Sequence, residues 1–354
     1  MKRTLFVVAV FVSLGVVFLP QAGNQAFAQA SPSPTPTPKP TPNVLEDDTV
    51  YKVDTELVNI SVRVIDRAGR PVNKLSESDF KIFEDNVQQQ IEFFSRSELP
   101  TNYAIVVDNS GSLRSQLEKV IEAGKILVSS NGPNDETQLI RFVGKDKISI
   151  EQDFTSNKAD LNDSLDNLFI EGGQTAITDA VYLAVENVED YEKSSKAVDR
   201  KRRAIILVTD GEDRDSFYSD KQLFDLLRES ETQIYVIGFV SELSSEGSII
   251  RKSAQSKAKS YLERMATETG GKAYFPNSVD ELAGIAKDIG AELRTQFSIG
   301  YVPTNDRKDG TFRSIKVQVA DGPNKEKRIP ITRAGRTAEA ETPAKPATAT
   351  TTKP

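Results

Sequence analysis

Hydrophobic residues in the middle of the chain occur as short continuous runs, separated by stretches with helical spacing. The runs cover residues 103–107, 204–208 and 234–240. Uninterrupted apolar runs are typical of parallel strands that are buried on both faces. The stretches between them repeat apolar residues every three or four positions, which indicates amphipathic helices. We therefore predict an α/β domain over residues 98–295, built on a doubly wound, mostly parallel sheet.

Helical spacing predicts six helices in this domain. They are expected near residues 117–127, 157–168, 177–188, 219–228, 255–269 and 278–293. The pair Gly270-Gly271 follows the fifth of them, as expected of glycines that end a helix.

Both flanks of this domain alternate apolar and polar residues with a period of two. The alternating apolar positions are Val58, Ile60, Val62 and Val64 in the first flank, and Phe297, Ile299, Tyr301, Ile315, Val317 and Val319 in the second. This pattern is typical of antiparallel strands with one solvent-facing side. Residues 50–97 and 296–334 are each too short to bury an adequate core alone. We predict that these flanking segments form one small antiparallel β-sandwich into which the α/β domain is inserted. Two separate β appendages on the α/β domain are the alternative.

The two ends of the chain have compositions that differ from the rest. Residues 1–28 match a secretory signal peptide, with Lys2 and Arg3 before an apolar stretch and Ala28 at a small-x-small cleavage site. We predict cleavage after Ala28 and export to the periplasm or the medium of a bacterium, with an uncleaved anchor as the alternative. Residues 29–49 are predicted to form a Pro/Ser/Thr-rich linker, and residues 335–354 a disordered tail. We predict no membrane span after removal of the signal peptide.

Composition narrows the possible chemistry. Cysteine and histidine are both absent, which excludes disulfides, thiolate nucleophiles and a Ser-His-Asp triad. The 45 basic and 52 acidic residues give a net charge of −7, which argues against a nucleic-acid partner. Any metal site in this chain must use oxygen ligands, and such ligands favour Mg²⁺, Ca²⁺ or Mn²⁺.

Three polar loops are predicted to meet at one edge of the central sheet, because the carboxyl ends of parallel strands lie together. Their sequences are Asp108-Asn109-Ser110-Gly111-Ser112, Gly172-Gly173-Gln174-Thr175 and Thr209-Asp210-Gly211. Each also has a simpler interpretation. Asp108 could bind nearby backbone amides, Ser112 and Thr175 could cap the helices that follow them, and Asp210 could belong to an ordinary turn. The occurrence of all three loops in one domain favours a metal site.

These three loops, in this order, resemble the metal-ion-dependent adhesion site of the von Willebrand factor A domain, and the resemblance covers about residues 100–295. It implies that Ser110, Ser112 and Thr175 bind a cation through their hydroxyls, the threonine directly or through water. It implies that Asp108 and Asp210 lie in or just outside the ligand shell and orient waters and serines. The expected cation is Mg²⁺, with Mn²⁺ and Ca²⁺ as alternatives. The expected partner is a protein that offers an Asp or Glu carboxylate.

The resulting expectation is an exported, metal-dependent protein-binding module that is not an enzyme. One alternative is a structural envelope or assembly protein in which the cation only braces the loops. A less favoured alternative is a Mg²⁺-dependent phosphohydrolase with Asp108 as nucleophile, since Ser110 stands where such enzymes have a second carboxylate. Asp179 either orients the site or only favours its helix dipole. Glu212, Asp213 and Asp215 are either solvated loop acids or an accessory calcium site. The sequence does not indicate an oligomeric state.

Overall fold

The computed structural model describes residues 57–96, 99–194, 201–240 and 249–340, with the backbone alone for residues 249–253. The chain divides into two units, Met1–Val53 and Asp54–Pro354, and all described residues belong to the second. The predicted signal peptide and linker therefore lie outside the described residues, as does most of the predicted tail. Within the described part of the chain, no helix is both long and apolar enough to cross a membrane.

The described strands and helices follow one another in a regular order. The strands are β1 (Val58–Ile65), β2 (Phe80–Glu84), β3 (Val87–Gln89), β4 (Ile91–Ser95), β5 (Thr101–Asp108), β6 (Glu136–Phe142), β7 (Ile148–Thr155), β8 (Arg202–Thr209), β9 (Gln233–Gly238), β10 (Lys272–Tyr274), β11 (Phe297–Tyr301), β12 (Phe312–Val319), β13 (Ile329–Ile331) and β14 (Gly335–Thr337). The helices are α1 (Leu117–Ser129), α2 (Lys158–Asp166), α3 (Ile177–Ser194), α4 (Asp220–Glu229), α5 (Ile249–Glu268) and α6 (Leu282–Arg294).

The central sheet has six strands in the order β10-β9-β8-β5-β6-β7. Neighbouring strands are parallel except for β7, which runs antiparallel at one edge. All eight residues of β5 are buried, as its continuous apolar run predicts. One core lies between the sheet and helices α1, α2 and α6, and a second lies between the sheet and α3, α4 and α5. The predicted doubly wound α/β fold is thus confirmed.

The two flanks of the α/β domain together build two four-stranded antiparallel sheets. Their strand orders are β13-β1-β11-β4 and β14-β12-β2-β3, so each sheet contains strands from both flanks. A shared core includes Val62 of β1, Ile82 of β2, Phe297 of β11 and Val317 of β12. Neither flank could bury these residues alone, which explains why they form one sandwich rather than two appendages.

The structure differs from the prediction of a disordered tail from residue 335. Strand β14 pairs with β12 along Phe312–Ser314. Within β14, the Nε of Arg336 donates a hydrogen bond of 2.9 Å to Glu84, a carboxylate that is 2% exposed. A buried carboxylate needs a charged or hydrogen-bonding partner, and this one holds the first residues of the tail in the sandwich. The other bounds of the predicted domains stay predictions.

Three strands of the central sheet were not recognised in the sequence. Strands β6 and β7 contain charged and amide residues, and β10 has only three residues. Periodicity is a weak signal in strands this short or this polar. Helix α5 also begins earlier than predicted, at Ile249 instead of near residue 255.

Candidate metal centre

The candidate site lies where two adjacent parallel strands end. Strands β5 and β8 pair in register, with Val107 opposite Val208. Asp108 is the last residue of β5, and Asp210 follows the last residue of β8. The two carboxylates therefore come to the same edge of the sheet, which is the usual place for ligands in open α/β folds.

Asp108 is completely buried, with 0% of its surface exposed. Its Oδ1 accepts a hydrogen bond of 2.9 Å from the Ser110 amide, and its Oδ2 accepts one of 2.8 Å from the Thr209 hydroxyl. Burial, and to a smaller extent the nearby charge of Asp210, together raise the pKa of Asp108 to about 6, although the hydrogen bonds from Ser110 and Thr209 lower it. The carboxylate is therefore held firmly in place but is poorly compensated as an anion.

The two serines connect the first loop with the third. The hydroxyls of Ser110 and Ser112 lie 2.8 Å apart. Burial raises the pKa of Asp210, and the nearby Ser112 hydroxyl lowers that pKa to a smaller extent. Ser110 is 1% exposed, while Ser112 is exposed, so the cluster is open to solvent on the Ser112 side.

Thr175 brings the second loop to the same place. Its carbonyl accepts hydrogen bonds from the amides of Arg214 at 2.8 Å and Asp215 at 3.1 Å, which are in the loop after Asp210. The threonine itself is 5% exposed. Among the described residues, no hydrogen bond joins its hydroxyl to the other four predicted ligands. The structure thus places Thr175 against the third loop through its backbone.

Two glycines of these loops pack closely against neighbouring elements. Gly173 has a φ of +150°, and a Cβ there would lie 2.7 Å from a methyl group of Val143. Gly211 has a φ of +90°, and a Cβ there would lie 3.1 Å from the Cβ of Ala258. Residues with side chains rarely adopt these conformations, so both positions favour glycine.

Two acidic residues, one at the start of α3 and one in the loop after β8, hold that helix and that loop together. The carboxylate of Asp179 accepts hydrogen bonds of 2.8 Å from the amides of both Phe217 and Tyr218. Asp213 in turn accepts a hydrogen bond of 2.8 Å from the Thr178 amide. Asp179 is thus a positioning residue.

The other acids of the third loop also have partners. Glu212 pairs with Arg214, and Asp215 lies 3.5 Å from the Lys145 Nζ. In the described part of the chain, no group of three or more acidic residues is arranged to hold a metal ion. An accessory calcium site built from these acids therefore has no support in the geometry.

Thr209 was named in the third loop without a task of its own, and in the structure its hydroxyl donates a hydrogen bond to Asp108. The residue is 0% exposed. Its position immediately before Asp210 was the available signal, because a hydroxyl at the end of one parallel strand can reach a carboxylate at the end of its neighbour.

The donor set of the site fits a hard divalent cation. All candidate ligand atoms are carboxylate or hydroxyl oxygens, which Mg²⁺, Mn²⁺ and Ca²⁺ prefer. Among the described residues, no lysine or arginine forms an ion pair with Asp108 or Asp210, although the charge of Arg214 lowers the pKa of Asp210. Two buried carboxylates without a paired cation are costly. A divalent ion held between them and the serines would remove that cost.

Part of this chain is similar in sequence to a known protein. An uncharacterized protein of the cyanobacterium Synechocystis is 33% identical over 115 residues, which make up 32% of this chain and 26% of that protein. The match thus spans about a quarter of the length of that relative.

Two solved structures are similar in fold. One is an aerotolerance-related membrane protein from Bacteroides fragilis, at 21% identity and a TM-score of 0.40, with 55% of this chain and 98% of that chain covered. Another is proximal thread matrix protein 1 from the mussel byssus, with a zinc-occupied MIDAS motif, at 22% identity and a TM-score of 0.42, with 59% and 49% covered.

The family model of the von Willebrand factor type A domain matches residues 102–288. This match takes in all three loops and more than half of the chain. Domains of this family are in general metal-dependent recognition modules and are typically not enzymes. The chain therefore belongs to the von Willebrand factor type A domain family.

Proposed function

We propose that this chain is an exported protein-binding module that uses a divalent cation to capture an Asp or Glu carboxylate of a partner protein. The observation that carries the proposal is the pair of buried carboxylates, Asp108 and Asp210, beside serine hydroxyls and without a paired basic residue among the described ones. Export rests on the signal-peptide pattern of residues 1–28.

Each residue of the site has a proposed task. The hydroxyls of Ser110, Ser112 and Thr175 would bind the cation, and Asp108 and Asp210 would hold its waters and orient the serines. Mg²⁺ is the proposed ion, and the same oxygens suit Mn²⁺ and Ca²⁺. When bound, the ion supplies an open coordination position for an outside carboxylate. The exposed Ser112 marks the side from which a partner approaches.

We propose binding of a partner protein because the proposed ligands of the ion include more neutral hydroxyls than carboxylates. If the atoms in direct contact with the ion are mainly hydroxyls, the ion keeps much of its positive charge. It then attracts a carboxylate from another molecule. A shell made entirely of carboxylates would neutralise the ion and leave little attraction for a partner.

The phosphohydrolase alternative finds little support in the geometry. Asp108 is completely buried, and both of its oxygens accept hydrogen bonds. A nucleophile needs a free oxygen that faces the substrate. Turnover of an aryl phosphate in the presence of Mg²⁺ would nevertheless revive this alternative.

The test compares metal binding and partner capture in matched variants. We expect Ser110→Ala and Asp210→Ala to weaken Mg²⁺ binding at least tenfold in isothermal titration calorimetry, since each removes an oxygen next to the ion. Both variants should also lose those partners that the unaltered protein captures from envelope and secreted fractions in Mg²⁺ and releases in EDTA. The control is Ser115→Ala, because the Ser115 hydroxyl contacts Gln116 rather than the site.

Two results would count against the proposal. Undiminished capture by both site variants would show that the ion is not the point of contact. A rise in melting temperature with Mg²⁺, without chelator-sensitive capture, would instead indicate a structural ion that only braces the loops.

A further inference from the structure

A cleft of about 630 Å³ lies where the central sheet meets the sandwich. None of the five predicted metal ligands lines it. Its walls are formed by α5, β10, β12, β13 and the segment after β13. The residues that line it include Arg63, Glu263, Lys272, Lys316, Thr332 and Arg333. The cleft is therefore separate from the candidate metal centre.

Three strands present unpaired edges at this cleft. Strand β10 is the last strand on one side of the six-stranded sheet, and β13 is the last strand of one sandwich sheet. Strand β12 is paired with β14 only along Phe312–Ser314, and the Ile315 amide donates to the Ala334 carbonyl, so the residues of β12 from Lys316 onward have no strand neighbour on that side in the described structure. Free backbone amides and carbonyls on strand edges are a template for an added strand.

The cleft is rich in positive charge. Arg63, Lys272, Lys316 and Arg333 line it, and Glu263 is the one acidic residue among those that do. Arg63 and Lys272 share a single carboxylate, that of Glu292, which lies 3.1 Å from the Lys272 Nζ. Two cations beside one carboxylate leave an excess of positive charge, which the nearby charge of Asp288 offsets only in part.

Arg333 also shares its carboxylate partner with a second arginine. It approaches Glu231 only to 3.7 Å, while Arg203 holds the same carboxylate at 2.5 Å. Lys316, in contrast, is an exposed residue of β12, and no described residue forms an ion pair with it. Positive charge thus extends from the floor of the cleft to its rim.

Several buried polar atoms in the walls of the cleft have no hydrogen-bond partner among the described atoms. They include the Nε atoms of Arg63 and Arg333 and the hydroxyl of Thr332. Arg63 is 5% exposed and Arg333 is 9% exposed. Buried polar groups are nearly always hydrogen-bonded in folded proteins. Other nitrogens of these guanidinium groups pair with Glu292 and with the Asn59 carbonyl, so the cleft walls keep spare hydrogen-bond donors beside their positive charge.

We propose that this cleft binds an extended, acidic segment of a partner protein, which adds a strand to the free edge of β10. Carboxylates of that segment lie beside Lys316 and Arg333, and its backbone pairs with the strand edge. A free anion such as phosphate would satisfy the charges but would leave the strand edges unpaired. The combination of both features favours a peptide.

The binding test uses a defined probe and is carried out in EDTA, so that the metal site takes no part. The probe is a fluorescein-labelled peptide of alternating Glu and Val, about eight residues long, which is enough for one extended strand. We expect saturable binding in fluorescence anisotropy, unchanged in Asp210→Ala. Binding should weaken about tenfold in Lys316→Glu and in Arg333→Gln, because each loses a charge-assisted contact.

The controls test whether a loss of binding comes from the cleft itself, rather than from a change in overall charge or from misfolding. Lys119→Glu reverses a lysine on α1 that pairs with Glu122 outside the cleft, and it should bind the peptide normally. Arg333 donates a hydrogen bond to the Asn59 carbonyl, so its variant is checked by circular dichroism, whereas Lys316 is exposed and its replacement leaves the core intact. Hydrogen exchange at the amides of β10 should slow when the peptide is bound.

Three outcomes would overturn the proposal. The first is equal binding of a Gln-Val peptide, which has the same backbone but no charge. The second is full binding of the Glu-Val peptide by the Lys316→Glu variant. The third is saturable binding of inorganic phosphate with no change in the exchange of β10 amides, which would mark a small-anion site.

Discussion

At the scale of single residues, the candidate site holds a carboxylate in a buried place, where the charged form is unfavourable. Asp108 is buried, and burial raises its pKa to about 6. Its hydrogen bonds from Ser110 and Thr209 fix the position of the carboxylate without neutralising it. Such a residue destabilises the metal-free protein and is best explained by what it binds.

Asp108→Asn tests whether the Asp108 carboxylate lowers the stability of the metal-free protein and is needed to bind the ion. The amide has the same shape but no charge, so we expect the metal-free variant to be as stable as the unaltered protein or more stable by about 1–2 kcal/mol. Mg²⁺ should raise the melting temperature of the unaltered protein but not that of the variant. Differential scanning fluorimetry with Mg²⁺ and with EDTA measures both effects. A variant that is still stabilised by Mg²⁺ would contradict the assigned role of the carboxylate.

At the scale of elements, the start of α3 organises the loop that follows β8. Asp179 receives two amide hydrogen bonds from that loop, and Asp213 of the loop accepts one from the α3 backbone. The contacts are reciprocal, so the helix and the loop hold each other. They fix the loop that contacts Thr175, and with it the distance between the second and third parts of the site.

Asp179→Ala should therefore weaken metal binding although it removes no predicted ligand. We expect a loss of about 10–100-fold in Mg²⁺ affinity, as is usual when residues that orient metal ligands are removed. Asp190→Ala is the matched control, since Asp190 is on the same helix and pairs only with Lys193 at 3.7 Å among the described residues. Titration calorimetry of both variants measures the effect. Equal affinities would mean that the loop is held by other contacts.

At the scale of the whole described unit, the α/β domain and the sandwich share buried polar contacts. Arg202, at the start of β8, donates hydrogen bonds to the carbonyls of Leu293 at 2.9 Å and Gln296 at 2.7 Å. These carbonyls lie at the end of α6 and just before β11, where the chain passes from one part to the other. Arg202 is 5% exposed, so these contacts between the α/β domain and the sandwich are buried.

Arg202→Met should lower the free energy of unfolding by about 2–4 kcal/mol, because it leaves two carbonyls without their donor in a buried place. Arg70→Met provides the comparison: the Arg70 side chain pairs with Asp66 but is 75% exposed, and its loss should lower the free energy of unfolding far less, because solvent screens exposed ion pairs. Urea denaturation of both variants measures the difference. Similar small losses in both would show that the junction does not depend on Arg202.

The local patterns in the sequence were sufficient for much of this description. Continuous apolar runs identified β5, β8 and β9, because a strand buried on both faces has no polar side. Alternation in the flanks identified antiparallel strands with one buried face. The polar loops that follow β5 and β8 could be predicted to lie together, since neighbouring parallel strands end at the same edge. Export, the identity of the ion and the partner carboxylate stay predictions.

Other features depend on residues that are far apart in the chain. Arg63 and Glu292 are 229 positions apart, and Glu84 and Arg336 are 252 apart. Periodicity tells which face of a strand is buried but not which strand lies beside it, because that choice is made by the packing of the whole chain.

The sequence by itself thus determined the type of each long element and the chemistry of the three loops, since both are written in neighbouring residues. Only the tertiary structure decided that the flanks share two sheets and that Asp179 holds the third loop. The basic cleft beside β10 likewise required the fold. Its walls come from distant segments, and they meet only because burying both flanks in one core brings them together.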